Sequence, residues 1–362
     1  MTTLSALEKR RYHRHLILPS FGVEGQEKLK NARVLVVGAG GLGCSLLQYL
    51  VAAGVGYIGI VDFDIVEESN LQRQVLYTME DIGMAKVEVA KRKLLALNPH
   101  VEIVTFKERL TAHNVADIIK DFDIVADGTD NFDTRYLVND ACVLFGKVNV
   151  FGSIFRFEGQ VAVFNYLQKD GIRSTNYRDL YPEAPESGLI PNCAEGGVLG
   201  VLPGIIGSMQ ASEVIKVITG IGEPLVNRLY VLDVSDMFSQ ILKIKKDNTL
   251  KIDRLPKASN QGCRVSVATI SAKAVKKMMV EKSYFQLIDV REREEHAIEN
   301  IGGMLIPLDE ILENQESISK EKPVVLYCQS GRRSRKAIEL LQEIGFDNLW
   351  NLEGGILGFT ED

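Results

Sequence analysis

Four glycines, Gly38, Gly40, Gly41 and Gly43, follow directly on the apolar run Val34 to Val37, and two carboxylates, Asp62 and Asp64, close the next apolar run, Tyr57 to Val61. An uninterrupted run such as Val34 to Val37 is expected of a strand covered on both faces. A helical pattern extends from Cys44 to Ala53. Strand, glycine turn, helix, strand, with an acid about twenty residues past the glycines, is the layout of a nucleotide-binding βαβ unit. Glycines let the backbone approach a phosphate chain. The helix N-terminus offers unpaired N–H groups and a partial positive charge. The acid can accept hydrogen bonds from a ribose.

A lone Gly-x-Gly-x-x-Gly is weak evidence and fits many NAD-dependent oxidoreductases. Four features favour ATP. Arg73 and Lys86 follow the glycines, and cations stabilise the charge that builds on departing pyrophosphate. Asp130 ends a second apolar strand, Phe122 to Ala126, where it could hold Mg²⁺ against the phosphates. No later segment supplies a clear acid or base for hydride transfer. Two cysteines, Cys193 and Cys328, lie in contexts suited to sulfur chemistry. Taken singly, Arg73, Lys86 and Asp130 are ordinary surface charges; it is their combination that points to ATP.

Cys328 stands at the end of an apolar strand in VVLYCQSGRRS, before a short glycine loop and a helix. Such a loop turns backbone N–H groups toward the sulfur and sets it at a helix N-terminus, which stabilises a thiolate or persulfide. Gly331, Arg332, Arg333 and Ser334 complete the loop, and the two arginines add positive charge. Cys193 lies in a stretch, 174–197, rich in Pro, Gly and acids and without a period; it reads as a long loop of functional length. Taken alone, one loop cysteine is ordinarily incidental.

The elements that must position these residues read as an α/β chain. Residues 5–30 look helical and carry the basic cluster Arg10, Arg11, His13, Arg14 and His15, which charge alone assigns to a solvated face. Met84 to Leu97, Asn114 to Lys120 and Thr134 to Phe145 read as helices, and Val101 to Phe106 as a strand. From residue 147 the pattern becomes antiparallel, with strands at 148–153, 156–165 and 227–233 and a helix at 208–219 closed by Gly220. The expectation is a Rossmann-like doubly wound sheet extended by antiparallel strands over residues 1–250, a linker at 251–264, and a small α/β domain at 265–362. In that domain helices are expected at 270–280, 309–315 and 332–344, with strands at 285–290 and 323–328 and near 348. The 362 residues carry a formal charge of −6, which offers no nucleic-acid or membrane footprint. No apolar run reaches the ~18 residues of a membrane span. Scattered cysteines and a start without an apolar signal point to a reducing, cytoplasmic setting.

With GAGGLG, the Asp62–Asp64 pair, SNLQRQ at 69–74, the Lys86 helix, DGTDNFDTR at 127–135 and NCAEGGVLG at 192–200, the chain resembles the MoeB/ThiF family, relatives of ubiquitin-activating enzymes. The resemblance implies a homodimer that adenylates the C-terminal Gly-Gly carboxylate of a ubiquitin-like sulfur-carrier protein. It implies Gly41 near the phosphates, Asp62 on the ribose, Asn70, Arg73 and Lys86 on the triphosphate, and Asp130, beside Asn131, on Mg²⁺. Arg14, in RYHRHLILP, matches an arginine that reaches into the neighbouring subunit's site. Cys193 matches a loop thiol that attacks the acyl-adenylate or resolves an acyl-persulfide. With LIDVREREEH at 287–296, IPL at 306–308 and NLEGGILGF at 351–359, residues 265–362 resemble a rhodanese domain in which Cys328 carries a persulfide and Arg333 ends the active loop. A phosphatase of the same fold is the nearest competitor, but its loop is usually one residue longer.

Many relatives bind structural zinc through two Cys-x-x-Cys pairs. Here those places read Asn176-Tyr177-Arg178-Asp179 and Asn260-Gln261-Gly262-Cys263. One thiolate cannot hold tetrahedral zinc, so none is expected, and packing of 166–180 against the segment near 255 must replace it. Cys44 and Cys142 are expected in the core. The rival readings are an NAD-dependent oxidoreductase, a scaffold that binds nucleotide and carrier without chemistry, and an enzyme of this fold acting on a small carboxylate. The resemblance leaves open the pathway served (molybdopterin, thiamine or tRNA thiolation) and the sulfur donor, thiosulfate or a cysteine desulfurase.

Overall fold

The structure, a computed structural model, describes residues 3–183, 197–256 and 267–360. The chain divides into two compact units, Met1–Ser259 and Asn260–Asp362.

The first unit is built on strands β1 (Arg33–Val37), β2 (Tyr57–Val61), β3 (Glu102–Phe106), β4 (Ile124–Asp127), β5 (Val148–Phe155), β6 (Glu158–Phe164), β7 (Arg228–Asp233) and β8 (Phe238–Lys243). Their order in the sheet is β3-β2-β1-β4-β5-β6-β7-β8. Pairing is parallel from β3 to β5 and antiparallel from β5 to β8. Strand order reverses at β1, so the crevice outside the carboxyl ends of β1 and β4 is the place where doubly wound sheets bind ligands.

Three helices precede β1: α1 (Ala6–Arg11), α2 (His13–Leu16) and α3 (Gly22–Asn31). The single helical stretch read at 5–30 is therefore broken, at Tyr12 and again across 17–21. Tyr12 is buried and its hydroxyl accepts from Asn98 Nδ2 at 2.8 Å, so a tertiary bond replaces helical continuity there. Helix α4 (Gly41–Ala53) begins three residues earlier than its apolar pattern. Gly43 lies inside the first turn because a Cβ there would meet Gly38 O at 2.0 Å. Leu46, Leu47 and Leu50 of α4 are fully buried, and each such side chain contributes roughly 1.5–3 kcal/mol. Helices α5 (Lys86–Leu97), α6 (Val115–Ile119) and α7 (Phe132–Leu144) link the next strands. The later helix, α8 (Leu202–Thr219), starts six residues before its expected position and carries Pro at its first turn, where a missing N–H costs nothing. It crosses α4 closely: a Cβ on Gly207 would lie 2.3 Å from Leu42 O. Cys44 and Cys142 are both fully buried, as expected, and burial pushes their thiols up, that of Cys44 to about 12.

The second unit is a five-stranded parallel sheet: β9 (Ala268–Ile270), β10 (Gln286–Asp289), β11 (Met304–Leu305), β12 (Val324–Tyr327) and β13 (Leu349–Leu352), in the order β11-β10-β12-β13-β9. Its helices are α9 (Ala272–Val280), α10 (Arg293–Ile298), α11 (Arg332–Glu343) and α12 (Gly355–Thr360). The helix expected at 309–315 is instead a pair of 3₁₀ turns, Leu308–Glu310 and Gln315–Ser317. Burial of Ile311 and Ile318 ties the two turns to the core and outweighs helical periodicity. Strands β9 and β11 and helix α12 have too little local pattern to be read without the sheet.

Candidate functional site

Two sites emerge, one in each unit. In the first, β1, β2 and β4 deliver the glycine turn, Asp62 and the Asp127–Asp130 loop to neighbouring strand ends. Gly38 has φ +95°, a left-handed conformation suited to glycine, and a Cβ on it would meet Gly128 O at 2.8 Å. The two loops are therefore in direct contact. Gly40 caps α4 without any side-chain hydrogen bond. The N–H groups that open this thirteen-residue helix have no side chain to serve them and remain available to an anion. A Cβ on Gly41 would crowd Pro203 at 2.9 Å and lie 3.7 Å from Arg73 Cγ.

Asp62 is fastened to this turn. Its Oδ2 accepts from Ala39 N–H at 2.7 Å and its Oδ1 from Asp64 N–H at 2.8 Å. Burial pushes its carboxyl up, against the opposing charge of Lys86. Lys86, the first residue of α5, is buried, and its Nζ donates to Asp64 Oδ2 at 3.1 Å. Arg73 Nη1 donates to Ser69 O at 3.1 Å. Asn70 is buried with no partner for its Oδ1. Gln74, which the residue-by-residue reading did not single out, is buried beside Gly40 with no partner for its Oε1. Both amide oxygens are acceptors that a ligand or an ordered water can use. Tyr77 was also missed: its hydroxyl donates to Ala39 O at 2.8 Å and pins the glycine turn from below. Nothing local to Tyr77 announces this, whereas Gln74 stands inside SNLQRQ.

The Asp127–Asn131 segment is shaped by its own side chains. Asp127 Oδ1 accepts from Thr129 N–H at 3.0 Å and from its Oγ1 at 2.6 Å. Gln210 of α8 donates to Asp127 O at 2.8 Å. Asn131 accepts from Thr134 N–H at 2.9 Å as the N-cap of α7. Asp130 is left exposed between them. Gly200 packs on Gln72 O, at 2.4 Å from a Cβ, so the chain returning from the segment that holds Cys193 reaches the Asn70–Arg73 corner. Cys193 itself and Cys263 lie outside the described residues. Arg14 is exposed on α2.

In the place of the first Cys-x-x-Cys pair, Asn176 and Asp179 form a reciprocal cap. Arg178 grips Asp140 with two bonds, 2.8 and 2.7 Å. Asp179 Oδ1 accepts from Asp247 N–H at 2.7 Å, and Arg178 lines one cavity with residues 250–256. A hydrogen bond and a shared cavity wall thus bring these segments together. Among the described residues no group of three or more His, Cys, Asp or Glu is placed to hold a metal ion.

In the second unit, Cys328 is a free thiol, 1% exposed, just past β12. Gly331, at φ +84°, caps α11 without a side-chain bond, so the opening N–H groups of this helix are likewise uncapped. The Ser334 hydroxyl lies 3.5 Å from Cys328 Sγ and 2.6 Å from Asn351 Oδ1; it has one proton to give. Helix α12 comes very close to the loop: a Cβ on Gly355 would be 2.4 Å from Cys328 O. Below the loop, buried Arg291 grips Asp289 and donates to Gln329 Oε1 at 3.2 Å. His296 Nδ1 lies 2.9 Å from Asp289. Burial works to raise the Asp289 carboxyl, but bonds from Arg291 and His296 prevail and hold it below the usual range. Arg333 forms a two-pronged ion pair with Glu295, at 2.6 and 2.7 Å. Arg332 is exposed on the first turn of α11. Among the described residues no helix is long and apolar enough to cross a membrane.

Comparison with known proteins matches a family to each unit. Residues 12–252 match the model of the ThiF family and residues 271–362 that of the rhodanese-like domain. The adenylyltransferase/sulfurtransferase MoeZ of Mycobacterium tuberculosis is 45% identical, the alignment covering 99% of this chain and 95% of that one. The sulfur carrier protein adenylyltransferase of Thermus thermophilus is 53% identical over 66% of this chain and 88% of its own. Among solved structures, E. coli MccB with ATP shares the fold at a TM-score of 0.56 and 23% identity, over 64% of this chain and 69% of that one. The chain belongs to the ThiF family of adenylyltransferases and carries a C-terminal rhodanese-like sulfurtransferase domain.

Proposed function

We propose that the first unit adenylates the C-terminal Gly-Gly carboxylate of a ubiquitin-like sulfur-carrier protein, and that Cys328 of the second supplies the sulfur that makes it a thiocarboxylate. The observation that carries this reading is the convergence at three strand ends. It is supported by the uncapped N-terminus of α4 with Arg73 and Gln74 beside its glycines, by the Lys86–Asp64 pair next to Asp62, and by the packing of the glycine turn on Gly128, two residues before the exposed Asp130. A carboxylate is a poor electrophile. Its attack on the α-phosphorus of ATP, with pyrophosphate leaving, turns it into an acyl-adenylate. The protein's main task is to hold two anions in line and offset their charge.

In this reading the glycine turn (Gly38, Gly40, Gly41, Gly43) and the N–H groups of α4 lie along the phosphates, and Asp62 accepts from the ribose. Asn70, Arg73 and Lys86 hold the triphosphate, with Asp64 steadying Lys86. Mg²⁺ bound with ATP would offset phosphate charge, and Asp130, a hard oxygen donor, is the carboxylate available to it beside phosphate and water oxygens. Arg14 would serve the site of a second copy in a homodimer. A persulfide on Cys328, loaded by a cysteine desulfurase or another donor, attacks the acyl carbon as AMP leaves; the Cys193 thiolate then attacks the Cys328 sulfur of the acyl disulfide, the thiocarboxylate leaves with the electron pair, and a thiol reductant reopens the Cys193–Cys328 disulfide. A cytoplasmic setting suits the free thiols this chemistry needs.

The test is ATP–pyrophosphate exchange with Mg²⁺ and a carrier ending in Gly-Gly. Exchange should be carrier-dependent, lost in Asp130→Ala and retained in Cys328→Ala, whereas persulfide loading should show the reverse. Exchange that survives Asp130→Ala would remove that residue from the site.

A further inference from the structure

The two-pronged pair between Arg333 and Glu295 has a consequence for which sulfur donors the second site accepts. Both terminal nitrogens of Arg333 are engaged, Nη1 by Glu295 Oε2 and Nη2 by Oε1. Glu295 cannot readily turn aside, because the same Oε2 accepts from Glu292 N–H at 3.1 Å in the capping box of α10. The pair is largely shielded, with side chains 22% and 34% exposed. The Glu295 bond is the main cause that raises the Arg333 pKa, and Cys328 lies close enough to add to it. A second guanidinium bonded to the loop, that of Arg291, is committed to Asp289, Glu299 O and Gln329. The fork that would grip a small tetrahedral anion is thus already occupied by a carboxylate.

We infer that Glu295 is a specificity residue of the sulfur site: by occupying Arg333 it disfavours the dianion thiosulfate and favours donors that bring a persulfide on a thiol. This rests on the reading that Cys328 accepts sulfane sulfur. With thiosulfate, the Cys328 thiolate attacks the sulfane sulfur, the S–S bond breaks, and sulfite leaves with the electron pair; a dianion must enter beside Glu295. With a thiol persulfide, the same attack expels a thiolate, the proton stays on the new persulfide, and no sulfonate needs a partner. The uncapped N–H groups of α11 suffice for a single charge on sulfur.

The experiment uses the full chain and two probes, thiosulfate with cyanide as acceptor and cysteine persulfide. Glu295→Gln keeps the size and the capping-box geometry but frees Arg333. Its KM for thiosulfate should fall about tenfold with kcat within about twofold, and sulfate should inhibit about tenfold more tightly. Loading from cysteine persulfide should change by less than about twofold. Glu295→Asp, too short to span both nitrogens, should move thiosulfate KM in the same direction by a smaller factor. A thiosulfate KM that is unchanged or raised in both variants overturns the inference, as does an equal gain with both donors. Cys328→Ala should load from neither probe; loading in that variant would overturn the role of Cys328 instead.

Discussion

Lys86→Met is the substitution that most directly probes the proposed adenylation site. The lysine side chain is 6% exposed and its ammonium group lies 3.1 Å from Asp64, whose side chain is 49% exposed. Methionine keeps the apolar stem, so packing is preserved. The stranded Asp64 keeps its water, and the stability cost should stay at about 0.5–1 kcal/mol, as for surface pairs. The effect on catalysis is larger. A cation about 4 Å from a phosphate oxygen in a site of effective dielectric about 20 is worth about 4 kcal/mol at most, part of it already offset by Asp64. Losing it while leaving the carboxylate turns a neutral pair into a net negative charge facing a triphosphate. The kcat/KM for carrier-dependent pyrophosphate exchange should fall on the order of 100- to 1000-fold. Adding Asp64→Asn removes the stranded charge and should restore about tenfold, while thermal unfolding barely moves. Retention of more than about a tenth of the wild-type kcat/KM in Lys86→Met would refute the reasoning. So would a double variant no better than the single one.

Gly355→Ala forces a Cβ to within 2.4 Å of Cys328 O at a residue with φ +62°. Both the strain and the backbone clash predict a loss of about 2–4 kcal/mol from the second unit, with sulfur transfer abolished and pyrophosphate exchange intact. Asp81 offers a pH test. Burial opposes its charge, but Lys93, with Thr78, prevails and holds its carboxyl at about 2; Arg92 adds a bond at 2.5 Å. A depressed value means stability present above the unfolded carboxyl range, about 3.9, and lost as pH falls through about 2. Asp81→Asn should therefore cost about 1–2 kcal/mol in urea unfolding at pH 7, and the gap to wild type should close in acid. A constant gap across that range would refute the linkage.

Sequence alone carried the residues whose neighbours are close in the chain. The glycine turn, the Asp62–Asp64 pair, DGTDN and the Cys328 loop each lie within a single strand–turn–helix step, where composition and spacing dictate local geometry. The first three belong to the first unit, and their placement at neighbouring carboxyl ends follows from the parallel pairing of β1 with β2 and β4. Element limits fared worse wherever tertiary contact sets them. Helix α4 starts on glycines because its first turn must press on Gly38, and the 309–315 stretch is held as turns by two buried isoleucines.

What only the folded chain decided is which charges meet. Lys86 and Asp64 are 22 residues apart, and Glu295 and Arg333 are 38 apart. Nothing in the spacing says whether such a cation faces solvent, substrate or a carboxylate. Tyr77 under the glycine turn and Gln210 under the Asp127 loop are of the same kind: their partners are backbone carbonyls, which no side-chain pattern encodes. The type of chemistry is written in short motifs, because backbone geometry at a turn is a local property. The electrostatic balance that tunes it is set across the sheet, because it depends on distances between segments that only folding brings together.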